Sequence, residues 1–266
     1  MTHYTVMVIG EDIEDILAPY DENMSVDKYI DRTKEGIHKE FLDFKEKLLA
    51  KIKENPEIEL SDFERLTKKL KTENRKWVKE WCGQDLDDEG NTLSTYNPDS
   101  KWDWYEIGGR WSGTFILKPG ESGELGTKSW TNKDLEIPDS RADRATKGQI
   151  DWVAMNAIAI EEANKDWDDI MNPDPDKCRY RPEYVEKLRK IHLEMYGTKE
   201  EYVKRRGIWT PYAYVDEDSW NAPGEMGWWG MSSDETKDRD RYDHEFAEYI
   251  AKLPDDTLLT MVDCHI

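Results

Sequence analysis

Apolar residues recur along this chain in two rhythms, and the changes between them outline its elements. Residues 4–9 (YTVMVI) form a β-branched apolar run ended by Gly10, the pattern of a buried strand. From Ser25, read as a helix cap, Ile30, Ile37, Phe41, Phe44, Leu48 and Ile52 recur every three or four residues until Asn55-Pro56. Ser61, with Glu64 three residues on, opens a second helix carrying Phe63, Leu66, Leu70, Trp77 and Trp81 on one stripe, and Gly83 stops it. The two helices predict an antiparallel pair lying across a sheet.

Residues 84–138 change to turns and short strands. Helix is predicted again over 140–167, with Ile150, Val153, Ala154, Ala157, Ile158 and Glu161 in register, then over 182–196, 198–206 and 238–253. Residues 208–231 read as strand and turn, and 257–266 as a last strand. The expected fold class is α+β: a mixed or antiparallel sheet with a Trp-rich hairpin and long charged helices packed on one side. No repeat or long linker forces a cut, so residues 1–266 read as one domain with a helical-hairpin insertion at about 25–83.

The hairpin is expected in residues 101–117, KWDWYEIGGRWSGTFIL. Gly108-Gly109 between two alternating runs fits a two-residue turn with positive φ. That register sets Glu106 opposite Trp111, Trp104 over Gly113 and Trp102 opposite Phe115. The other face then pairs Asp103 with Thr114, Tyr105 with Ser112 and Ile107 with Arg110. Two readings stay open: a Trp-rich core hairpin with Arg110 in an ion pair, or a surface where Asp103, Tyr105, Arg110 and Trp111 grip a ligand or partner. A guanidinium fork suits phosphate or carboxylate, and an aromatic face suits a base or a cation.

Eight of the 12 Trp fall in residues 102–130 or 209–229, which suggests that the two regions share one core or cleft. Glu225, Trp228 and Trp229, in GEMGWWG, are the candidates from the second region. In the last strand, alternation puts Leu259, Met261, Asp263 and His265 on one face and Val262, Cys264 and Ile266 on the other. Asp263 and His265 are half of an acid–base or metal constellation, or a polar fringe; Cys264 points away from His265.

Composition narrows the chemistry. The charge of −21 repels phosphate backbones and anionic lipid, which argues against direct nucleic-acid or membrane binding. It leaves simple solubility, or docking on a basic partner. Three scattered cysteines, Cys82, Cys178 and Cys264, read as free thiols in a reducing cytoplasm, and no signal peptide or apolar span stands out. Asp85, Asp87, Glu89 and Gly90 begin like a calcium loop, but Tyr96 replaces its bidentate glutamate. His3-Tyr4-Thr5 matches one half of a two-histidine phosphoesterase signature, with no second copy downstream. No P-loop, dinucleotide fingerprint, HExxH or nucleophile elbow occurs, so no cofactor, metal site or catalytic residue is assigned.

The strings YTVMVIG, WDWYEIGGRW, GEMGWWG and VDCHI resemble a family of uncharacterised proteins from bacteriophages and prophage-bearing bacteria. The resemblance implies an accessory protein acting in the host bacterial cytoplasm. With the acidity, it sets the expected function: binding, as an inhibitor of a host-defence protein with a basic surface. The alternative is a nucleotide sponge or nucleotide-processing protein with a pocket lined by Trp and Arg110.

Overall fold

The structure is a computed structural model that describes residues 2–54, 64–65, 68–69, 73–174, 181–227 and 229–266. The chain packs as two compact units, Met1–Glu22 with Asp99–Ile266, and Asn23–Pro98.

In the smaller unit, β2 (Tyr29–Arg32) pairs antiparallel with β3 (Thr92–Ser94). Helix α2 (Lys34–Glu54) and helix α3 (Asn74–Trp77), which runs into a π-helical turn at Val78–Cys82, bury Ile37, Phe41, Trp77 and Val78 together. The helix expected from Ser25 begins nine residues later. Thr33, whose Oγ1 accepts from the Gly36 N–H at 3.2 Å, opens it, and Ile30 sits exposed on a strand. The spacing from Ile30 to Ile37 fits two helical turns, so periodicity alone could not exclude it. The start expected at Ser61 lies outside the described residues. Gly83, at φ 68°, ends the helical segment as expected. In the calcium-like run, the Asp87 carboxylate accepts from the Gly90 and Asn91 amides at 2.7 and 2.8 Å, which closes a turn.

The larger unit is built on a seven-stranded sheet. Its strands are β1 (His3–Ile9), β4 (Trp104–Gly109), β6 (Thr127–Lys128), β8 (Arg144–Thr146), β9 (Ala213–Val215), β10 (Trp220–Asn221) and β11 (Leu258–His265). The order is β10-β9-β1-β11-β4-β6, with β8 also on β11. The β1–β9 and β4–β6 pairs are parallel and the others antiparallel, so the sheet is mixed. One side of β11 pairs with β1 throughout; its other side pairs with β4 at Val262–His265 and with β8 at Leu258–Thr260. At the junction the Met261 amide donates to the Asp143 carbonyl at 2.8 Å.

Strand alternation divides the core as the sequence of β11 requires. Met7, Ile9, Leu259 and Met261 face Met155 of α4 (Trp152–Met171) and Tyr242, Phe246 and Ile250 of α7 (Thr236–Lys252). Val6, Val8, Val262 and Cys264 face Ile13, Ile16 and Leu17 of the short α1 (Ile13–Leu17), a helix with no expectation from sequence. Helices α5 (Pro182–Tyr196) and α6 (Lys199–Arg206) begin at Pro182 and after the Thr198 cap, where expected. Together with Ala163 and Trp167 of α4 they bury Tyr196 and Tyr202. Helix α4 is shorter than expected: residues 140–149 form β7 (Arg141–Ala142), β8 and a 3-10 turn, and Asp151 caps the helix by accepting from the Ala154 N–H. Its buried stripe is Met155, Ala159, Ala163 and Trp167, while Val153 is exposed. Among the described residues no helix is long and apolar enough to cross a membrane.

The expected hairpin does not form. β4 pairs with β11 and β6, and β5 (Phe115–Ile116) pairs with β7 in a separate ladder. Trp104 therefore stands beside His265 rather than over Gly113, and Trp102 and Phe115 belong to cores on opposite faces of the sheet. Gly108 and Gly109 do adopt positive φ, 77° and 54°, but for a different reason. A Cβ on Gly108 would lie 2.5 Å from Asp143 Oδ2, and one on Gly109 would lie 2.5 Å from Asp263 Oδ2. Close approach to two buried carboxylates, not a reversal between paired strands, requires glycine there.

Candidate functional site

The face that carries Met7 and Met261 turns polar at one end of the sheet. Cross-strand register places His3, His265 and Trp104 in one row, and Thr5, Asp263 and Glu106 in the next. Alternation aims all six to the same face. The backbone closes beyond them through paired hydrogen bonds between Thr2 and Ile266, at 3.1 and 3.2 Å.

Two histidine–carboxylate dyads stand side by side in this patch. His3 Nδ1 lies 2.8 Å from Asp263 Oδ1, and His265 Nδ1 lies 2.6 Å from Asp103 Oδ1. Asp103 also donates its amide to the His265 carbonyl at 3.0 Å, so that pair is held by backbone and side chain. The ring centroids of His3 and His265 are 4.9 Å apart, inclined at 72°. An ionised carboxylate only accepts, so each Nδ1 carries a proton and each Nε2 is left as the ring nitrogen available for chemistry. Trp104 flanks both rings, at 5.9 Å from His3 and 6.5 Å from His265, with 46% of its surface exposed.

Asp263 is fully buried, which demands compensation for its charge. His3 supplies one partner and the Arg110 amide, 3.0 Å from Oδ2, the other. Glu106, directly across the strands, accepts from Thr127 Oγ1 at 2.7 Å. Placing two carboxylates opposite one another is unfavourable in a sheet, so packing alone does not account for the choice. The wall behind is set by a second buried carboxylate, Asp143. It accepts from the Gly113 amide at 2.6 Å, the Ser112 hydroxyl at 2.8 Å and the Gly126 amide at 2.9 Å, tying the turn after β4 to the loop before β6.

The structure brings Asp103, Asp263, His265 and the backbone of Arg110 together. The Arg110 side chain is exposed, with no ion pair among the described residues. Tyr105 faces the opposite side, edge-on to Trp102 at 5.1 Å, where burial raises its hydroxyl pKa. Trp111 is half-buried in the turn. The carboxylate of Glu225 is 84% exposed, 3.9 Å from Lys101 Nζ, and Trp229 is 83% exposed; Trp228 lies outside the described residues. The two Trp-rich regions do meet, as expected, but in the cores on both faces of the sheet rather than around one cleft. Trp209 packs with Phe115 and Phe246 on one face, Trp102 and Trp220 pack on the other, and Trp130 and Trp229 are exposed.

His3 and Trp104 complete the site and were not among the candidates from sequence. His3 lacked a second motif copy, yet its partner is His265, supplied by a strand of different sequence. Cys264 lies on the opposite face, its thiol pKa pushed well up by burial and by the Asp263 charge. Among the described residues no group of three His, Cys, Asp or Glu side chains is placed to hold a metal ion. No family model, curated protein or solved structure matches the chain.

Proposed function

We propose that the chain is a nucleotide-processing enzyme that cleaves a phosphoester by acid–base catalysis at His3 and His265. The observation that carries this reading is the pair of adjacent imidazoles, each held through Nδ1 by its own carboxylate. A neutral imidazole serves as a general base and a protonated one as a general acid, so two adjacent rings can supply both roles. The neutral Nε2 takes the proton from an attacking hydroxyl, either a ribose 2′-OH or water, as its oxygen bonds to phosphorus. The protonated Nε2 gives its proton to the leaving oxygen as the old P–O bond breaks. The two rings end with exchanged protonation states, and solvent resets them.

The test is cleavage of the dinucleotide ApA, with products separated by chromatography over a range of pH. The reading predicts a bell-shaped rate profile and a loss of roughly 10²- to 10⁴-fold in either His3→Ala or His265→Ala. Activity that survives both substitutions, or no cleavage by the wild type, refutes it.

A second reading, the expected inhibitor of a host-defence protein, is favoured by one observation. Trp229 and Met231, 83% and 72% exposed, stand on one loop, and tryptophan is among the residue types enriched at binding hot spots. Trp229→Ala abolishing capture of a single stoichiometric bacterial protein would support it.

A further inference from the structure

Beside the histidines stand two groups that the proton transfers leave unused. Trp104 keeps 46% of its surface in solvent although its row partners, His3 and His265, are both largely covered. Arg110 has its amide fixed to Asp263, so its side chain starts against the dyad, and its guanidinium is exposed without an ion pair among the described residues. An indole face flanking the dyads and a planar cation whose backbone is anchored on one of them supply the two kinds of contact that hold a base and its phosphate. Around them lies a chain of net charge −21.

We infer that the site takes a mononucleotide or dinucleotide with its base stacked on Trp104 and its phosphate against Arg110, and that it discriminates against longer nucleic acid. This rests on the acid–base reading of the same site. Discrimination follows from the field. One phosphate meets the local guanidinium, whereas each further phosphate of a polymer adds repulsion from a chain of net charge −21. The salt response is therefore inverted. Proteins that bind polyanions through basic surfaces lose affinity as salt rises; here salt screens repulsion, so the longer ligand gains.

The experiment is calorimetric titration of a His3→Asn variant, which holds ligand without turning it over, with ApA and with an adenosine oligomer of about a dozen units. ApA is expected to bind more tightly than the oligomer at low salt, and the gap is expected to narrow near 1 M, where the Debye length falls to about 3 Å. Adding Trp104→Ala is expected to weaken ApA roughly ten- to hundredfold, with Trp104→Phe restoring part of it and circular dichroism unchanged. Tighter binding of the oligomer, indifference to Trp104, or no binding of ApA overturns the inference. The two readings fail separately: ApA bound through Trp104 but never cleaved by the wild type removes only the chemistry. Cleavage insensitive to Trp104 and to length removes only the substrate assignment.

Discussion

Gly109 stands against Asp263 with no room for a side chain: a Cβ built on it would fall 2.5 Å from both the Cβ and the Oδ2 of Asp263. That closeness lets the next amide, of Arg110, donate to the same carboxylate that holds His3. Gly109→Ala should cost about 1–2 kcal/mol for the left-handed backbone alone, with the clash in addition. Because Asp263 is what the methyl displaces, phosphoester cleavage should fall more than stability does. Urea denaturation and rate measurements on one preparation check both, and an alanine variant as stable as wild type would show that the turn can relax.

Asp143 holds three donors from two loops without exposure to solvent. Asp143→Ala strands the Gly113 and Gly126 amides, and a buried group left unpaired costs about 1–3 kcal/mol. A loss of several kcal/mol is therefore expected in denaturant titration, against about 1 kcal/mol for Ser112→Ala, which removes one donor and keeps the carboxylate. Equal effects of the two would argue that the clip is dispensable.

Asp216 gives the fold a pH dependence of known sign. Burial works to raise its pKa, but the Tyr249 hydroxyl, the Asp218 and Ser219 amides and the Ser219 hydroxyl outweigh it, and the carboxyl is held below its ordinary value. A depressed folded-state pKa contributes stability above the ordinary carboxylate range, near 4, and that contribution is lost as pH falls through the folded value. Asp216→Asn should thus lower the urea midpoint at neutral pH and flatten its decline in acid. A variant that declines as steeply as wild type would remove Asp216 as a source.

Cys264 is fully buried between strands, and burial favours its neutral thiol. The thiolate is the reactive form. Iodoacetamide is expected to leave Cys264 unmodified in the folded protein and to label it in denaturant, as read by peptide mass spectrometry. Rapid labelling under native conditions would mean that the centre of the sheet opens.

Arg110 separates support from recognition. Its amide belongs to the dyad but its side chain is free in solvent, so Arg110→Ala should change stability by less than about 0.5 kcal/mol. ApA binding should weaken sharply in the same variant, and Arg110→Lys should recover only part, having charge without the planar fork. A large drop in melting temperature would reassign the side chain to structure.

Much of the scaffold is legible in the sequence because its signals are local. The alternation of residues 258–265, Pro182 at the start of α5 and Thr198 capping α6 each act within a turn or a strand. What is hidden depends on residues far along the chain. The positive φ of Gly108 and Gly109 looks the same whether it serves a hairpin or makes room for Asp143 and Asp263, and only tertiary contact decides. Asp263 and His265 share a face as alternation says, yet each takes a different partner from far along the chain: His3 of β1, and Asp103 in the bend before β4. Local reading could place the two residues but could not pair them.

Strand β11 is flanked by β1 on one side and by β4 and β8 on the other, and every one of these precedes it in the chain. As the polypeptide leaves the ribosome, those strands wait with open hydrogen-bonding edges until residues 258–265 arrive, the arrangement that makes folding slow and exposes intermediates to aggregation. The same residues bring Asp263 and His265. A chain cut short anywhere before Leu258 therefore lacks both the central strand of its sheet and half of each dyad, so the fold and the two histidine–carboxylate pairs stand or fall together.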